Sequence, residues 1–401
     1  MGSPIKKLDF RKFLPMQKNR AARFESGAPD LPATDNARAI ARALHPRRQC
    51  LKVIDVIERA PDCKSFVLSP DPERGTSQLA YFSAGKYLTV YETVNGVKLT
   101  RAYSISSAPK ASLGGIYEIT VKRVEGGLLS GFILDTWQVG TPVTVSAPSG
   151  TFEYHPLRDA PTVVGVAGGS GITPFISLAN AIADGDEDLD LILLYGSRNT
   201  ENILFREELT ELERRCPRVH VIHVLSDEQE ENMPEGAESG FITAELIEKY
   251  APADTPYSVF LCGPQQLYAF VDKELEKLSL EKKYVRHELF GEPHDPTGME
   301  GYPANVSAEI SVTVTVQDET RTVKGSSRDT VLQILEKNGI AAPARCRSGE
   351  CGFCHSRLLS GSVYVPPALD RRRLADAQFG CFHPCCSFPL SDLVIEVPSA
   401  K

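Results

Sequence analysis

Three kinds of hydrophobic pattern follow one another along the chain. Between Leu51 and Tyr154, short runs of alternating and β-branched residues are broken by Gly and Pro, which predicts a small antiparallel β-barrel. Beyond Thr162, continuous apolar runs alternate with helical stretches, and this pattern predicts a parallel sheet with crossover helices. Residues 312–316 and 320–323 then predict a hairpin, followed by a helix that Asp329 caps.

These changes of pattern divide the chain into successive segments, which predict a multidomain fold. The arm is expected to be irregular and basic, with one short helix over 35–44 that begins at Asp35. The linker is rich in Pro and Gly and has no periodicity. The predicted segments are an N-terminal arm (1–48), the β-barrel (49–157), the α/β domain (158–290), the linker (291–306) and a C-terminal domain (307–401).

Composition and charge argue against a membrane-spanning, secreted or nucleic-acid-binding protein. The chain has 401 residues, no apolar run long enough for a transmembrane segment and no secretory signal, so we expect a cytoplasmic protein. The arm holds 11 Lys and Arg against 4 Asp and Glu, which also resembles a transit peptide, although it has few hydroxyl residues. Residues 49–306 hold 22 against 38, and this acidic middle argues against nucleic-acid binding.

The cysteines near the C-terminus carry the strongest chemical signal. Their C-x4-C-x2-C spacing, with a fourth cysteine 31 residues later, matches the plant-type pattern for a [2Fe-2S] cluster and indicates a reducing compartment. Gly349 and Gly352 fit a loop that wraps closely around sulfur. The predicted ligands are Cys346, Cys351, Cys354 and Cys385.

Two alternatives remain for this motif. Cys386 directly follows Cys385 and could be the fourth ligand, but counting back from Pro389 favours Cys385, and Cys381 is expected to be a buried thiol. Zinc is the alternative metal. Zinc sites usually pair two C-x2-C hairpins, and only one such pair is present.

Two short motifs in the predicted barrel suit one elongated anionic ligand with an aromatic ring. At a strand end, Arg101 offers charge, Tyr103 a ring and Ser104 a hydroxyl. The turn Gly126-Gly127 opens a helix whose amides can approach phosphate, and Ser130 adds a donor. Alone, the first motif is explained equally well by an ordinary strand; together the two indicate a phosphate-bearing cofactor.

Two further motifs end strands of the predicted parallel sheet, where ligands of such sheets bind. One is a glycine-rich turn comprising Gly168, Gly169, Ser170, Gly171 and Thr173, with a helix after it. A tight structural turn is the alternative explanation, because the spacing is not that of a dinucleotide fingerprint. The other is the run Cys262-Gly263-Pro264, where a lone cysteine is ordinarily part of the core.

The three motif groups, in this order, resemble the ferredoxin-NADP reductase superfamily fused to a plant-type ferredoxin domain. The resemblance implies an antiparallel β-barrel FAD domain, an α/β NAD(P) domain and an α+β, β-grasp ferredoxin domain. It implies that Arg101, Tyr103 and Ser104 hold the flavin, with Ser104 near N5. The other residues it assigns are Gly126, Gly127 and Ser130 for the pyrophosphate, Gly168 to Thr173 with Gly263 and Pro264 for the dinucleotide, and Cys262 beside the nicotinamide.

The same resemblance bears on the choice of cofactors. The Gly-Gly-x-x-Ser turn is similar to the FAD branch and differs from the FMN-binding loop of relatives. Ser197 and Arg198 resemble residues that take the 2′-phosphate of NADPH, although NADH-dependent relatives also carry Arg there. No acidic residue stands at this strand end, which favours NADPH. Glu288 and Phe290 stand where a residue covering the flavin is found in relatives.

The resemblance implies an enzyme that takes hydride from NAD(P)H and delivers single electrons through the cluster to a separate protein, such as an oxygenase, desaturase, hybrid-cluster or corrinoid-type protein. Ser104 and Cys262 would orient the reactants. Arg345, Arg347 and Arg371 to Arg373 are hypothesised to attract an acidic partner, and a solvated basic face is the alternative. Direct reduction of a small molecule and a non-catalytic redox sensor or docking module are the other functions considered.

Overall fold

A computed structural model describes residues 7–27, 35–288, 291–293 and 295–399, and the chain divides after Arg42 into two compact units. The N-terminal unit differs from the predicted irregular arm, because most of its described residues belong to the helix α1 (Lys7–Glu25), with Pro15 inside it. Lys, Arg, Gln and Ala are strong helix formers, and here they outweigh the proline. The second helix, α2 (Asn36–Leu44), begins as predicted: the Arg38 amide donates to Asp35 Oδ1 over 3.0 Å.

The second unit begins with the predicted antiparallel β-barrel, in the strand order β4-β3-β6-β1-β2-β5. A bridge between Ile105 and Ile119 closes it by joining the end of β4 to β5. Leucine, valine and aromatic side chains fill the interior, and Trp137 packs edge-on against Phe66. The elements are β1 (Gln49–Ala60), β2 (Cys63–Pro70), β3 (Tyr87–Val94), β4 (Val97–Ser104), β5 (Tyr117–Lys122), α3 (Leu128–Thr136) and β6 (Pro142–Val145).

The next domain is the predicted parallel sheet, with strand order β10-β9-β8-β7-β11-β12. One apolar layer packs α4 and α5 on one face, and another packs α6 and α7 on the other, so the central strands are buried on both sides. All strands are parallel, and their carboxyl ends therefore meet at one edge. The elements are β7 (Thr162–Gly168), α4 (Thr173–Ala183), β8 (Asp190–Ser197), α5 (Arg206–Arg215), β9 (Val219–Leu225), β10 (Glu238–Ser239), α6 (Ala244–Tyr250), β11 (Tyr257–Cys262), α7 (Gln265–Leu275) and β12 (Val285–Glu288).

The C-terminal domain has a mixed sheet in the order β14-β13-β19-β15-β17, with α8 packed on it. The predicted hairpin is present, but Thr330 caps α8 in place of Asp329. Thr330 forms a capping box with Gln333, while Asp329 pairs with Lys337 over 2.6 Å. The elements are β13 (Glu309–Val316), β14 (Glu319–Ser326), α8 (Val331–Lys337), β15 (Ser356–Ser360), β16 (Val363–Tyr364), α9 (Leu374–Gln378), β17 (Cys381–Phe382), β18 (Phe388–Pro389) and β19 (Leu393–Val397).

Within the described ranges, no helix is both long and apolar enough to cross a membrane.

Candidate functional site

One cavity of about 450 Å³ lies between the barrel and the parallel sheet, and it brings together most of the motif residues. Its volume is within the usual range for ligand sites. The end of β4, the start of α3 and the carboxyl ends of β7 and β11 all border it. The predicted residues that line it are Arg101, Tyr103, Ser104, Gly127, Ser130, Gly168, Gly169, Ser170, Gly171, Thr173, Cys262, Gly263 and Pro264.

The side of the cavity that carries the predicted flavin motifs is built from β4 and α3. Ser104 is buried at the last position of β4, and burial raises the pKa of Tyr103 next to it. Gly127 is the N-cap of α3, and no side chain of the described chain caps this end, so the first amides of the helix are available to an anion. Ser130 Oγ accepts from the Val124 amide over 3.1 Å and thereby holds the turn in shape. These residues fit a pyrophosphate-bearing flavin.

Two residues predicted to contact the flavin are not both free to do so in the structure. Gly126 does not line the cavity; it lies in the exposed turn before α3 at φ +69°, a conformation that favours glycine. Arg101 lines the cavity, but its guanidinium lies 3.5 Å from a carboxylate oxygen of Glu292 and 3.5 Å from one of Glu336. Its other partner is the Thr100 carbonyl, at 2.8 Å.

The side of the cavity that carries the predicted nicotinamide motifs is formed by two loops in close contact. A Cβ at Gly171 would overlap the Cys262 carbonyl oxygen, and one at Gly168 would lie 2.9 Å from the Leu267 side chain. Close packing therefore requires glycine at both positions. This agrees with the alternative explanation from the sequence, in which the glycines serve a tight structural turn. The same packing leaves backbone groups of both loops at the cavity wall, which fits a dinucleotide as well.

Cys262 lies at the end of β11, 2% exposed, and burial raises the pKa of its thiol well above the ordinary value. A thiol in this state is neutral, which fits an orienting role and not that of a nucleophile. Glu288 pairs with Cys262 across β11 and β12, and burial also raises the pKa of Glu288. Phe290 lies outside the described residues.

Ser197 and Arg198 stand at the carboxyl end of β8, but neither lines the cavity. Ser197 is buried, whereas the Arg198 side chain is exposed and lies 3.6 Å from Asp227 Oδ2. Asp227 follows β9, the neighbouring strand. The expectation of NADPH rests on the end of β8 alone. The sequence does not show that Asp227 lies beside it, because the neighbour of a strand depends on the strand order of the sheet.

The four predicted cluster cysteines are brought together in the C-terminal domain. The sulfurs of Cys354 and Cys385 are 3.3 Å apart. A hydrogen bond from Cys351 lowers the pKa of Cys346 and raises that of Cys351, and contacts with Cys346 and Cys354 raise the pKa of Cys385 well above its usual range. Each sulfur thus has another of the four as a neighbour, which fits two irons that each take two thiolates.

The competing thiols occupy different places. The Cys386 sulfur lies 3.6 Å from the His383 carbonyl and 3.9 Å from that of Leu369, and a Cβ at Gly349 would lie 2.6 Å from it. Cys385 is its neighbour and lowers the pKa of Cys386 to about 7. Cys381 is half-buried in β17, less enclosed than expected.

The arginines expected around the cluster do not form one basic face. Arg347 is buried, 1% exposed, and belongs to the interior. Arg372 and Arg373 pair with Asp370 and Asp376. Arg345 stacks over Phe353, at 4.0 Å from the ring centroid, and Phe353 itself is 42% exposed.

Family models match the three domains in turn. They are the oxidoreductase FAD-binding domain (51–154), the oxidoreductase NAD-binding domain (166–273) and the 2Fe-2S iron-sulfur cluster binding domain (314–390).

Relatives and a solved structure match across the three domains. The chain is 31% identical over 356 residues to the ferredoxin reductase component of 3-ketosteroid-9-alpha-monooxygenase from Mycobacterium tuberculosis, covering 86% of this chain and 94% of that one. It is 27% identical to the glycine betaine monooxygenase reductase subunit of Chromohalobacter salexigens, covering 87% and 95%. The structure of phthalate dioxygenase reductase matches with a TM-score of 0.60 and 27% identity, covering 87% and 98%.

Proposed function

The chain belongs to the ferredoxin-NADP reductase superfamily, in the group with a C-terminal [2Fe-2S] ferredoxin domain, and from this premise we propose that it is the reductase component of an oxygenase system. It would pass electrons from NAD(P)H through FAD and the cluster to a separate oxygenase. The observation that carries the proposal is the shared cavity, in which the end of β4 faces the glycine loop and Cys262. The names of the relatives favour an oxygenase over a desaturase, hybrid-cluster or corrinoid-type acceptor.

The bound flavin supplies the conversion of a two-electron hydride into single electrons, and the chain supplies binding and orientation. In our proposal Tyr103 packs on the flavin ring, and the buried Ser104 hydroxyl orients it. The neutral Cys262 thiol positions the nicotinamide. The amides at the start of α3, with Ser130, hold the pyrophosphate, and the loop from Gly168 to Thr173 holds the dinucleotide. The four cluster ligands are Cys346, Cys351, Cys354 and Cys385.

The surface beside the cluster is our candidate for acceptor docking. Cys351 is exposed, and Phe353 and Phe379 present apolar surface. Arg371 and Arg373 lie on this side of the domain, near α9. His355, which follows Cys354, lies 3.3 Å from Asp376 of α9 and so joins this helix to the cluster loop. An apolar centre with a charged rim suits a transient protein partner. We also propose a cytoplasmic location, because the cluster thiols must stay reduced until iron binds.

The proposed function is tested by following both electron outputs of the cofactor-loaded protein. NADH or NADPH should reduce ferricyanide, which accepts from the flavin, and also cytochrome c, which accepts from the cluster. Ferricyanide reduction without cytochrome c reduction, at full iron content, would instead indicate direct flavin chemistry. Failure of both reactions would indicate a redox sensor or docking module.

The charge beside Arg198 bears on the choice of coenzyme. We propose NADH as the better substrate, because the Asp227 carboxylate repels a 2′-phosphate and competes for Arg198. Asp227→Asn is expected to raise kcat/KM for NADPH roughly fivefold, since exposed charge pairs are worth up to about 1 kcal/mol. The value for NADH should hardly change.

The matched control for the coenzyme prediction is Asp254→Asn. Asp254 is an exposed acid ahead of β11, at the opposite edge of the sheet. This variant should leave both coenzymes unaffected. An unchanged preference in Asp227→Asn, or an equal change in both variants, would contradict the assignment.

A further inference from the structure

A buried ion-pair network joins the cluster loop to the strand that carries the flavin motif. Arg347 directly follows the cluster ligand Cys346, and its side chain is 1% exposed. Its two terminal nitrogens each lie 2.8 Å from an oxygen of Glu336, and it also pairs with Glu292. A further hydrogen bond of 3.2 Å runs to the Thr100 carbonyl of β4.

Arg101 extends the network on the barrel side. It lies 3.5 Å from both carboxylates and donates to the same Thr100 carbonyl. Glu292 also accepts from Gln333 of α8 over 3.1 Å. Two arginines and two glutamates therefore balance in charge, and they come from the barrel, the linker, α8 and the cluster loop.

Stability alone does not account for this arrangement. Removing ions from water costs free energy, and well-packed apolar residues commonly stabilise a protein as well as a buried ion pair does. Such pairs are instead suited to fixing one geometry, because an arginine fork meets a carboxylate in few orientations. Arg347 also has φ +62°, an uncommon conformation for a residue other than glycine, and such a conformation persists where surrounding contacts fix it.

We propose that Arg347 and Glu336, with Glu292 and Arg101, are positioning residues that hold the cluster loop against β4 for electron transfer from flavin to cluster. β4 continues from Thr100 through Tyr103 to Ser104 at the cavity, so the network and the flavin motif share one rigid strand. The four side chains transfer neither electrons nor protons. In the loaded protein one electron would pass from the reduced flavin to the oxidised cluster, and the four residues would serve only to hold the two binding sites in place. This inference rests on the proposed function.

The test is Glu336→Gln in the full-length, cofactor-loaded protein, studied by stopped-flow spectroscopy. Flavin reduction by NADH should stay within twofold of the wild-type rate, because Glu336 does not line the cavity. The following flavin-to-cluster step, and cytochrome c reduction, should fall roughly ten- to a hundredfold, since misplacement by about 1 Å can cost a hundredfold in rate. In the cofactor-free chain, hydrogen exchange of residues 97–104 should become faster.

The matched control is Glu396→Gln, which removes an exposed carboxylate of β19 in the same domain and should change none of these values. If Glu336→Gln loses its iron because buried Arg347 keeps only one of its two carboxylate partners, the double variant Glu336→Leu/Arg347→Met removes both charges and should retain the cluster. It should still show the slow flavin-to-cluster step. A wild-type rate for this step in an iron-replete variant would overturn the inference, whereas a wild-type cluster that NADH cannot reduce would instead overturn the proposed function.

Discussion

Cys385→Ser is expected to remove the cluster and stop cytochrome c reduction, while ferricyanide reduction continues. The Cys385 sulfur interacts with both Cys346 and Cys354, so it stands between the two halves of the ligand set. Loss of a residue that only hydrogen-bonds to a metal ligand lowers metal affinity or activity roughly 10- to 100-fold, and loss of a ligand itself should lower them further. Iron content, the visible spectrum and electron paramagnetic resonance of the reduced protein measure the loss directly.

Cys386→Ser is the matched control, because it changes the adjacent residue by the same one atom. The Cys386 sulfur lies against backbone carbonyls and Gly349. This variant should keep its iron and at least half of its cytochrome c activity. The reverse pattern, with iron lost only in Cys386→Ser, would make Cys386 the fourth ligand. Zinc without iron in the wild-type protein would contradict the cluster itself.

The parts of the fold that local pattern determines could be predicted from the sequence. The strand Tyr257–Cys262 is one of the mostly apolar runs that follow Thr162 in the sequence, and such a run suits a strand that is buried on both faces. The three domains are confirmed by the family models. Two local expectations were wrong. Thr330 caps α8 where Asp329 was predicted, because adjacent Asp and Thr side chains can each serve as a cap, and the N-terminal segment forms α1 with Pro15 inside it.

Features that depend on distant residues meeting in space could not be predicted. Arg347 looked like a surface charge near the cluster, and only the fold shows that Glu292 and Glu336 bury it. Likewise, Asp227 reaches Arg198 because β9 lies beside β8. The backbone positions of the motifs follow from local pattern, whereas a charged side chain reaches across several elements and its neighbours depend on the whole fold.

Gly171→Ala should nearly abolish reduction of the flavin by NADH while leaving the flavin bound. The added Cβ would overlap the Cys262 carbonyl oxygen and lie 2.7 Å from Gly263 Cα, so the two nicotinamide loops must separate. Overpacking of this kind costs about 1–3 kcal/mol of stability. A displacement of about 1 Å at the reacting groups costs roughly a hundredfold in rate. Stopped-flow reduction by NADH, compared with reduction by dithionite, isolates the effect on nicotinamide positioning.

Gly114→Ala serves as the matched control, because Gly114 is exposed in the barrel and an added Cβ there meets no atom within 4 Å. Neither Gly171 nor Gly114 has the positive φ that only glycine tolerates easily, so the two substitutions differ in space and not in backbone strain. Flavin content and dithionite reduction should match the wild type in both variants. If Gly171→Ala reduced its flavin with NADH at the wild-type rate, the contact between the glycine loop and Cys262 would have no part in placing the nicotinamide.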